Sequence, residues 1–148
     1  MHISSDICNM KVVYDLGEAE KVAQSVWDTF SDVQVWALHG DMGVGKTTFV
    51  RALCQSVLHS TDNVSSPTFA LINQYESPQI GTISHIDLYR LGSADEAVNA
   101  GVQDAIDNAQ LSLIEWPEIA PELLSRNTLH LYFALEPDNK RSLETQRS

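Results

Sequence analysis

Residues 39 to 48 read His-Gly-Asp-Met-Gly-Val-Gly-Lys-Thr-Thr. Gly40, four intervening residues and then Gly45-Lys46-Thr47 fill every position of a phosphate-binding loop, or P-loop. Each residue type has a chemical reason to be there. The glycines let backbone N–H groups turn inward and approach phosphate oxygens that a Cβ would hold away. Lys46 supplies a mobile positive charge for β and γ phosphates, and the Thr47 hydroxyl is a hard oxygen ligand suited to Mg²⁺. A helix starting near Gly45 adds its positive dipole end. The candidate nucleotide-binding residues are therefore Gly40, Asp41, Met42, Gly43, Val44, Gly45, Lys46, Thr47 and Thr48. A glycine-rich strand-to-helix turn that binds nothing is the alternative.

Three further side chains fall where they could complete such a site. In Leu111-Ser112-Leu113-Ile114-Glu115 an apolar run ends in a carboxylate, the Walker-B pattern with Glu where Asp is commoner. Glu115 could bind Mg²⁺ through water or polarise the nucleophile, and Pro117 stops the strand at once, leaving Glu115 and Trp116 near the sheet edge where α/β sites lie. Asp87 ends a second strand-like run, Thr82 to Asp87. Alternation over that run puts Ser84 and Ile86 on one face and Ile83, His85 and Asp87 on the other. Asp87 could hold Mg²⁺, orient the attacking water, or simply cap the following loop. Thr68, in Val64-Ser65-Ser66-Pro67-Thr68-Phe69, would contact Mg²⁺ or the γ phosphate if that loop crosses the phosphates, as in switch-type nucleotidases; an ordinary Ser-Pro turn is the competing reading.

The elements that must position these groups follow from periodicity. Met10 to Tyr14 reads as a short strand. Asp15 to Phe30 reads as a helix, because Ala19, Val22, Ala23, Val26, Trp27 and Phe30 recur at three- and four-residue spacing and Asp15 with Glu18 resembles a capping box. Val33 to His39 is a strand suited to burial on both faces, and Lys46 to His59 is the helix leaving the loop. Ala70 to Tyr75 and Thr82 to Asp87 form a hairpin. Ala94 to Val98 reads as a short helix, Val102 to Asn108 as an acidic helical piece, Leu111 to Glu115 as a strand and Glu118 to Leu124 as a short helix. Thr128 to Leu135 is the last strand predicted. Glu136 to Ser148 is polar and is expected to be a frayed, partly disordered tail. The fold class expected is α/β: a single P-loop NTPase domain spanning residues 1–148, with a central mixed sheet flanked by helices.

At 148 residues and 43% hydrophobic the chain suits one domain with an ordinary core. No apolar run is long enough to span a bilayer and Met1 to Asn9 lacks signal-peptide character, so the cytosol is expected. Cys8 and Cys54 are too few for a disulfide framework, and neither has metal-ligand spacing. The formal charge is −11, and between Arg90 and Arg126 there are seven acids and no base. Such a surface is poorly suited to gripping a nucleic-acid backbone directly, and suggests that any role there runs through protein partners. GTP specificity is disfavoured: Asn139-Lys140-Arg141-Ser142 misses the base-reading Asn-Lys-x-Asp in its last place, and Arg90 stands where Gly would follow Asp87. A small-molecule kinase usually brings an Arg-rich lid, for which this chain has no segment.

Four stretches together carry a resemblance: Gly-Asp-Met-Gly-Val-Gly-Lys-Thr-Thr-Phe (40 to 49), Ser-Pro-Thr-Phe (66 to 69), His-Ile-Asp-Leu-Tyr-Arg (85 to 90) and Ile-Glu-Trp-Pro (114 to 117). In order and spacing they are similar to the TsaE family, over about Asp15 to Leu135. The resemblance implies the ATPase component of threonylcarbamoyladenosine synthesis at adenosine 37 of tRNAs reading ANN codons. Its expected partners are the transferase TsaD and its companion TsaB, with tRNA reached only through that complex. It further implies ATP and Mg²⁺ as cofactors, Lys46, Thr68, Asp87 and Glu115 as catalytic residues, Thr47 and Glu115 as metal ligands, and Trp116 close to the nucleotide. Arg141 is the candidate for a nucleotide-touching arginine beyond the last strand. Two other classes stay open: a nucleotide-dependent binding module with incidental hydrolysis, and a small-molecule phosphotransferase.

Overall fold

A computed structural model describes residues 9–64, 72–89, 101–124 and 127–148. Seven strands form one sheet: β1 (Lys11–Tyr14), β2 (Val35–His39), β3 (Ile72–Ser77), β4 (Gly81–Asp87), β5 (Leu111–Glu115), β6 (Thr128–Glu136) and β7 (Lys140–Arg147), in the spatial order β1-β7-β6-β2-β5-β4-β3. The inner strands β6, β2, β5 and β4 are mutually parallel, while β1, β7 and β3 add antiparallel edges, so the expected mixed sheet is present. β2 and β5 are buried along both faces, which explains their unbroken apolar character.

Helices cover both faces. α1 (Ala19–Phe30) turns Val22, Ala23, Val26 and Phe30 inward at the predicted spacing. It is preceded by one 3-10 turn, Leu16–Glu18, where Glu18 Oε1 accepts from the Asp15 N–H at 3.0 Å, the anticipated capping box. α2 (Lys46–Arg51) leaves the glycine-rich loop and continues as a π-helical segment, Ala52–Val57, whose end is marked by Leu58 N–H donating to Leu53 O at 2.9 Å. The predicted α-helix to His59 therefore changes its winding midway. The wider turn lets Leu53, Cys54, Val57 and Leu58 all stay buried against α1 and the sheet. With the Phe49 and Phe133 rings edge to face at 5.3 Å, this is the larger core. Trp36 sits in it fully buried, its indole N–H donating to Val33 O at 2.8 Å, which satisfies the one polar atom the ring brings inside. On the opposite face α3 (Val102–Asp107) packs Val102 and Ala105 against Val35, Ile86 and Ile114.

Two predictions require correction. Residues 136–148 are not a frayed tail: β7 pairs with β6 along one edge and with β1 along the other, so its backbone groups are satisfied on both sides. The strand reads as polar although much of it is buried, because Arg141, Ser142 and Thr145 are all buried polar residues. Arg141, Leu143 and Thr145 point inward, while Glu144 is exposed. The hairpin turn is made by Pro137, Asp138 and Asn139, the last two at φ 61° and 60°, a conformation Asp and Asn tolerate. Likewise, Glu118 to Leu124 is not one helix but two 3-10 turns, Pro117–Ile119 and Pro121–Leu123. Pro121 has no N–H to continue the first turn and restarts the second. The helix expected at Ala94 to Val98 lies outside the described residues.

Candidate functional site

The loop between β2 and α2 turns on three glycines with positive φ: 141° at Gly40, 82° at Gly43 and 100° at Gly45. At Gly40 a side chain has no room, since a Cβ there would lie 2.7 Å from the backbone oxygen of Phe133. Lys46 opens α2 almost fully buried, and its ammonium donates to Gly40 O at 2.6 Å. The same ammonium lies 4.0 Å from Glu115 Oε1 and 4.5 Å from the centre of the Trp116 ring. One cation is thus fixed by a carbonyl, a carboxylate and an aromatic face.

The sheet explains why these groups meet. β2, β5 and β4 are adjacent and parallel, so their C-terminal ends lie side by side, and Asp87 and Glu115 are register partners. By alternation Ile83, His85 and Asp87 share the face of Leu111, Leu113 and Glu115, which is the face covered by α2. Trp116, the residue after β5, adopts φ 57°, uncommon for a bulky side chain, and its ring lies 4.9 Å from that of Tyr89. Asp87 accepts from the Tyr89 N–H at 2.8 Å. Burial pushes the Asp87 carboxyl above the usual carboxylate range; the neighbouring Glu115 adds to this and the Tyr89 N–H opposes it.

These side chains enclose a cleft of about 400 Å³. Of the predicted residues, Met42, Gly43, Gly45, Lys46, Thr47, Thr48, Asp87, Glu115 and Trp116 line it. Gly40 stands behind it as the acceptor for Lys46, Asp41 points to solvent, and Val44 is buried in the core. Thr68 lies outside the described residues. Arg141, the candidate nucleotide-touching arginine, lines it as well, from β7 rather than from beyond the last strand, and Leu16, from the turn after β1, lines it without having been predicted. Arg141 is nearly buried; one terminal nitrogen donates to Asn139 O at 3.0 Å, while its buried Nε has no partner among the described residues. A wider cleft of about 560 Å³ lies at the N-terminal ends of β2 and β5, lined by Gln34, Asp107 and Glu122 among others. Among the described residues that line it there is no motif residue and no basic side chain, so size does not identify the chemistry here.

Sequence reasoning assigned no role to His85 or Tyr75. His85 is fully buried, with Nε2 2.6 Å from Glu115 Oε2 and Nδ1 3.0 Å from the Tyr75 hydroxyl. The available signal was the alternation that put His85 on the Asp87 face. The donor set fits a hard cation only in part: a hydroxyl and two carboxylates face the cleft, but among the described residues no three His, Cys, Asp or Glu side chains converge as a metal cage. Such a set suits Mg²⁺ whose remaining ligands are phosphate oxygens and water.

A glycine-rich loop joining a buried parallel strand to a helix, with two carboxylates at the ends of neighbouring strands, defines an α/β domain of the phosphate-binding-loop type. The family model for the threonylcarbamoyl adenosine biosynthesis protein TsaE matches residues 13–143. The tRNA threonylcarbamoyladenosine biosynthesis protein TsaE of Rickettsia bellii is 36% identical over 124 residues, covering 84% of this chain and 85% of its own. The protein of the same name from Bacillus subtilis is 31% identical over 109 residues, covering 74% of this chain and 66% of its own. A crystal structure of Bacillus subtilis YdiB superposes with a TM-score of 0.71 at 24% identity, over 98% of this chain and 87% of that one, and supports the fold. The chain belongs to the TsaE family, whose members act in tRNA threonylcarbamoyladenosine biosynthesis. Among the described residues no helix is long and apolar enough to cross a membrane.

Proposed function

We propose that this protein binds Mg-ATP in the Lys46 cleft, hydrolyses it slowly, and through that cycle supports the cytoplasmic TsaD–TsaB complex in threonylcarbamoylating adenosine 37 of tRNAs that read ANN codons. The single observation that carries the reading is the convergence of Lys46, Thr47, Asp87 and Glu115 on one cleft at the mouth of the glycine-rich loop. Lys46 binds the phosphates, with backbone N–H groups of the loop around them. Thr47 and Glu115 would hold Mg²⁺, which would supply positive charge beside the phosphate oxygens. Asp87, held by the Tyr89 N–H, orients or takes a proton from the attacking water. Trp116 packs beside Lys46 and limits water on that side. Thr68 acts as a switch residue sensing the γ phosphate. tRNA is reached through the partner proteins, in keeping with the net charge of −11.

The test is reconstitution of the modification with TsaD, TsaB and tRNA, with and without this protein. Glu115→Ala or Asp87→Ala should keep partner binding while abolishing repeated rounds of modification. Many rounds with either variant would instead make ATP an interface ligand and hydrolysis incidental. Label from γ phosphate appearing on a small acceptor, rather than as free phosphate, would replace the hydrolase reading with a phosphotransferase one.

A further inference from the structure

We propose that His85 is a positioning residue: it clamps one oxygen of Glu115 so that only the other faces the nucleotide cleft. The inference rests on the Mg-ATP reading of that cleft and adds to it a residue that works through Glu115 without touching the nucleotide.

The argument begins with side-chain length. A carboxylate ending the β5 strand must reach the metal from the sheet, and Asp is the commoner choice at this position. Glu adds one methylene and one more rotatable bond, so its carboxylate sweeps a larger volume unless something fixes it. His85 supplies the fixing. It lies on β4, two residues before Asp87 and on the same face, paired in register with Leu113, two residues before Glu115. Its Nε2 is 2.6 Å from Glu115 Oε2, a short contact for a charge-assisted hydrogen bond. An ionised carboxylate only accepts, so Nε2 carries the proton.

The other ring nitrogen keeps the imidazole from turning. Nδ1 lies 3.0 Å from the hydroxyl of Tyr75, on the neighbouring strand β3, and the ring itself is wholly inaccessible to solvent. Each member of the row Tyr75–His85–Glu115 is therefore placed by a different strand. With Oε2 occupied, Glu115 Oε1 is the oxygen on the Lys46 side, 4.0 Å from the ammonium. This is the arrangement of a metal-site supporting group, which orients a ligand and sharpens its response to the metal. A histidine buried only to fill the core would need partners, but not the carboxylate that lines the cleft.

Two variants test it. His85→Gln places an amide N–H close to where Nε2 stood, whereas His85→Leu fills the space without a donor. Calorimetry with ATP, with and without Mg²⁺, separates the metal response from nucleotide binding itself. For His85→Leu the affinity without Mg²⁺ should match the unsubstituted protein, while the tightening by Mg²⁺ and kcat should fall by about 10–100-fold. KM for ATP should move far less than kcat, because the lost interaction acts on the metal and the transition state. His85→Gln should recover most of both. A leucine variant with normal Mg²⁺ response and normal kcat overturns the clamp, as does a folded glutamine variant as impaired as leucine. If the leucine variant does not fold, the imidazole nitrogen NMR shifts of the unsubstituted, nucleotide-free protein decide: a protonated Nε2 on His85 is expected, and a bare one overturns the proposal. Failure of the unsubstituted protein to bind ATP would count against the Mg-ATP reading, whereas normal binding with an unimpaired leucine variant counts only against His85.

Discussion

Replacing Gly40 by alanine separates what the glycine-rich loop does for the fold from what it does for phosphate. Gly40 has φ 141°, a region alanine avoids, and its added Cβ would meet Phe133 O at 2.7 Å and Val44 Cγ2 at 3.0 Å. Holding a non-glycine residue in such a conformation costs about 1–3 kcal/mol. The contact with Phe133 O cannot be relieved by a rotamer change, because that oxygen belongs to β6, which is paired with β2 and β7. Overpacking of this kind costs about 1–3 kcal/mol more, so Gly40→Ala should destabilise by about 2–6 kcal/mol. Gly43→Ala is the internal control. It too has a positive φ, 82°, but nothing lies within 4 Å of its added Cβ, and its cost should be about 1–2 kcal/mol. In urea titrations monitored by circular dichroism without nucleotide, Gly40→Ala should lower the midpoint clearly more than Gly43→Ala. Equal midpoints would refute the idea that Gly40 is required by β6 packing and would leave phosphate contact as its whole purpose.

Lys46→Ala should lose ATP affinity in calorimetry, and unchanged binding would defeat the proposed site. Leu143 is fully buried on β7, so Leu143→Ala should cost about 2–5 kcal/mol in urea unfolding, whereas a frayed tail would show no loss. His39 and His130 are hydrogen-bonded at 2.9 Å, and burial holds both below the ordinary histidine value of 6.5, with His130 adding to the effect at His39. The unfolded chain then takes up more protons than the fold, so their contribution is complete above 6.5 and is lost as pH falls through the depressed values. Urea midpoints should therefore fall less steeply between neutral and mildly acid pH in a His39→Gln, His130→Gln double variant. Cys54 is buried with its thiol pushed up to about 12. At pH 8 its thiolate fraction is about one in ten thousand, so mass spectrometry should find it unalkylated until denaturant is added.

What the sequence revealed depended on how local the cause was. The loop at Gly40 to Thr48, the inward face of α1 and the carboxylates ending β4 and β5 were all legible, because each is dictated by residues within a few positions of one another. Strand β7 was misread for the opposite reason. It is flanked by β6, the other arm of its own hairpin, and by β1, which comes from the far end of the chain, and only Leu143 among its inward side chains is apolar. The turn Pro137-Asp138-Asn139 was the one local sign that the chain reverses there. The π-helical winding after Arg51 has no local sign at all: α-helix and π-helix share the same apolar residues, and the choice is made by packing against α1 and the sheet.

The same distinction bears on how the site works. Lys46 and Thr47 come from the loop, but Asp87 and Glu115 reach it only because β5 lies next to β2 and β4 next to β5 in the sheet. Arg141 reaches it only because β7 returns beside β6 and places a nearly buried guanidinium 3.9 Å, through Nε, from where a Cβ on Gly45 would lie. The cleft is therefore lined by residues from the first, middle and last thirds of the chain, and its shape depends on the sheet that holds them together. A nucleotide held there would tie β7 and the β1–α1 turn to the loop, since Leu16 and Arg141 line the same wall. On that basis ATP should protect β7 amides from hydrogen exchange along with those of the glycine-rich loop. Protection confined to the loop would mean that the outer strands take no part in binding.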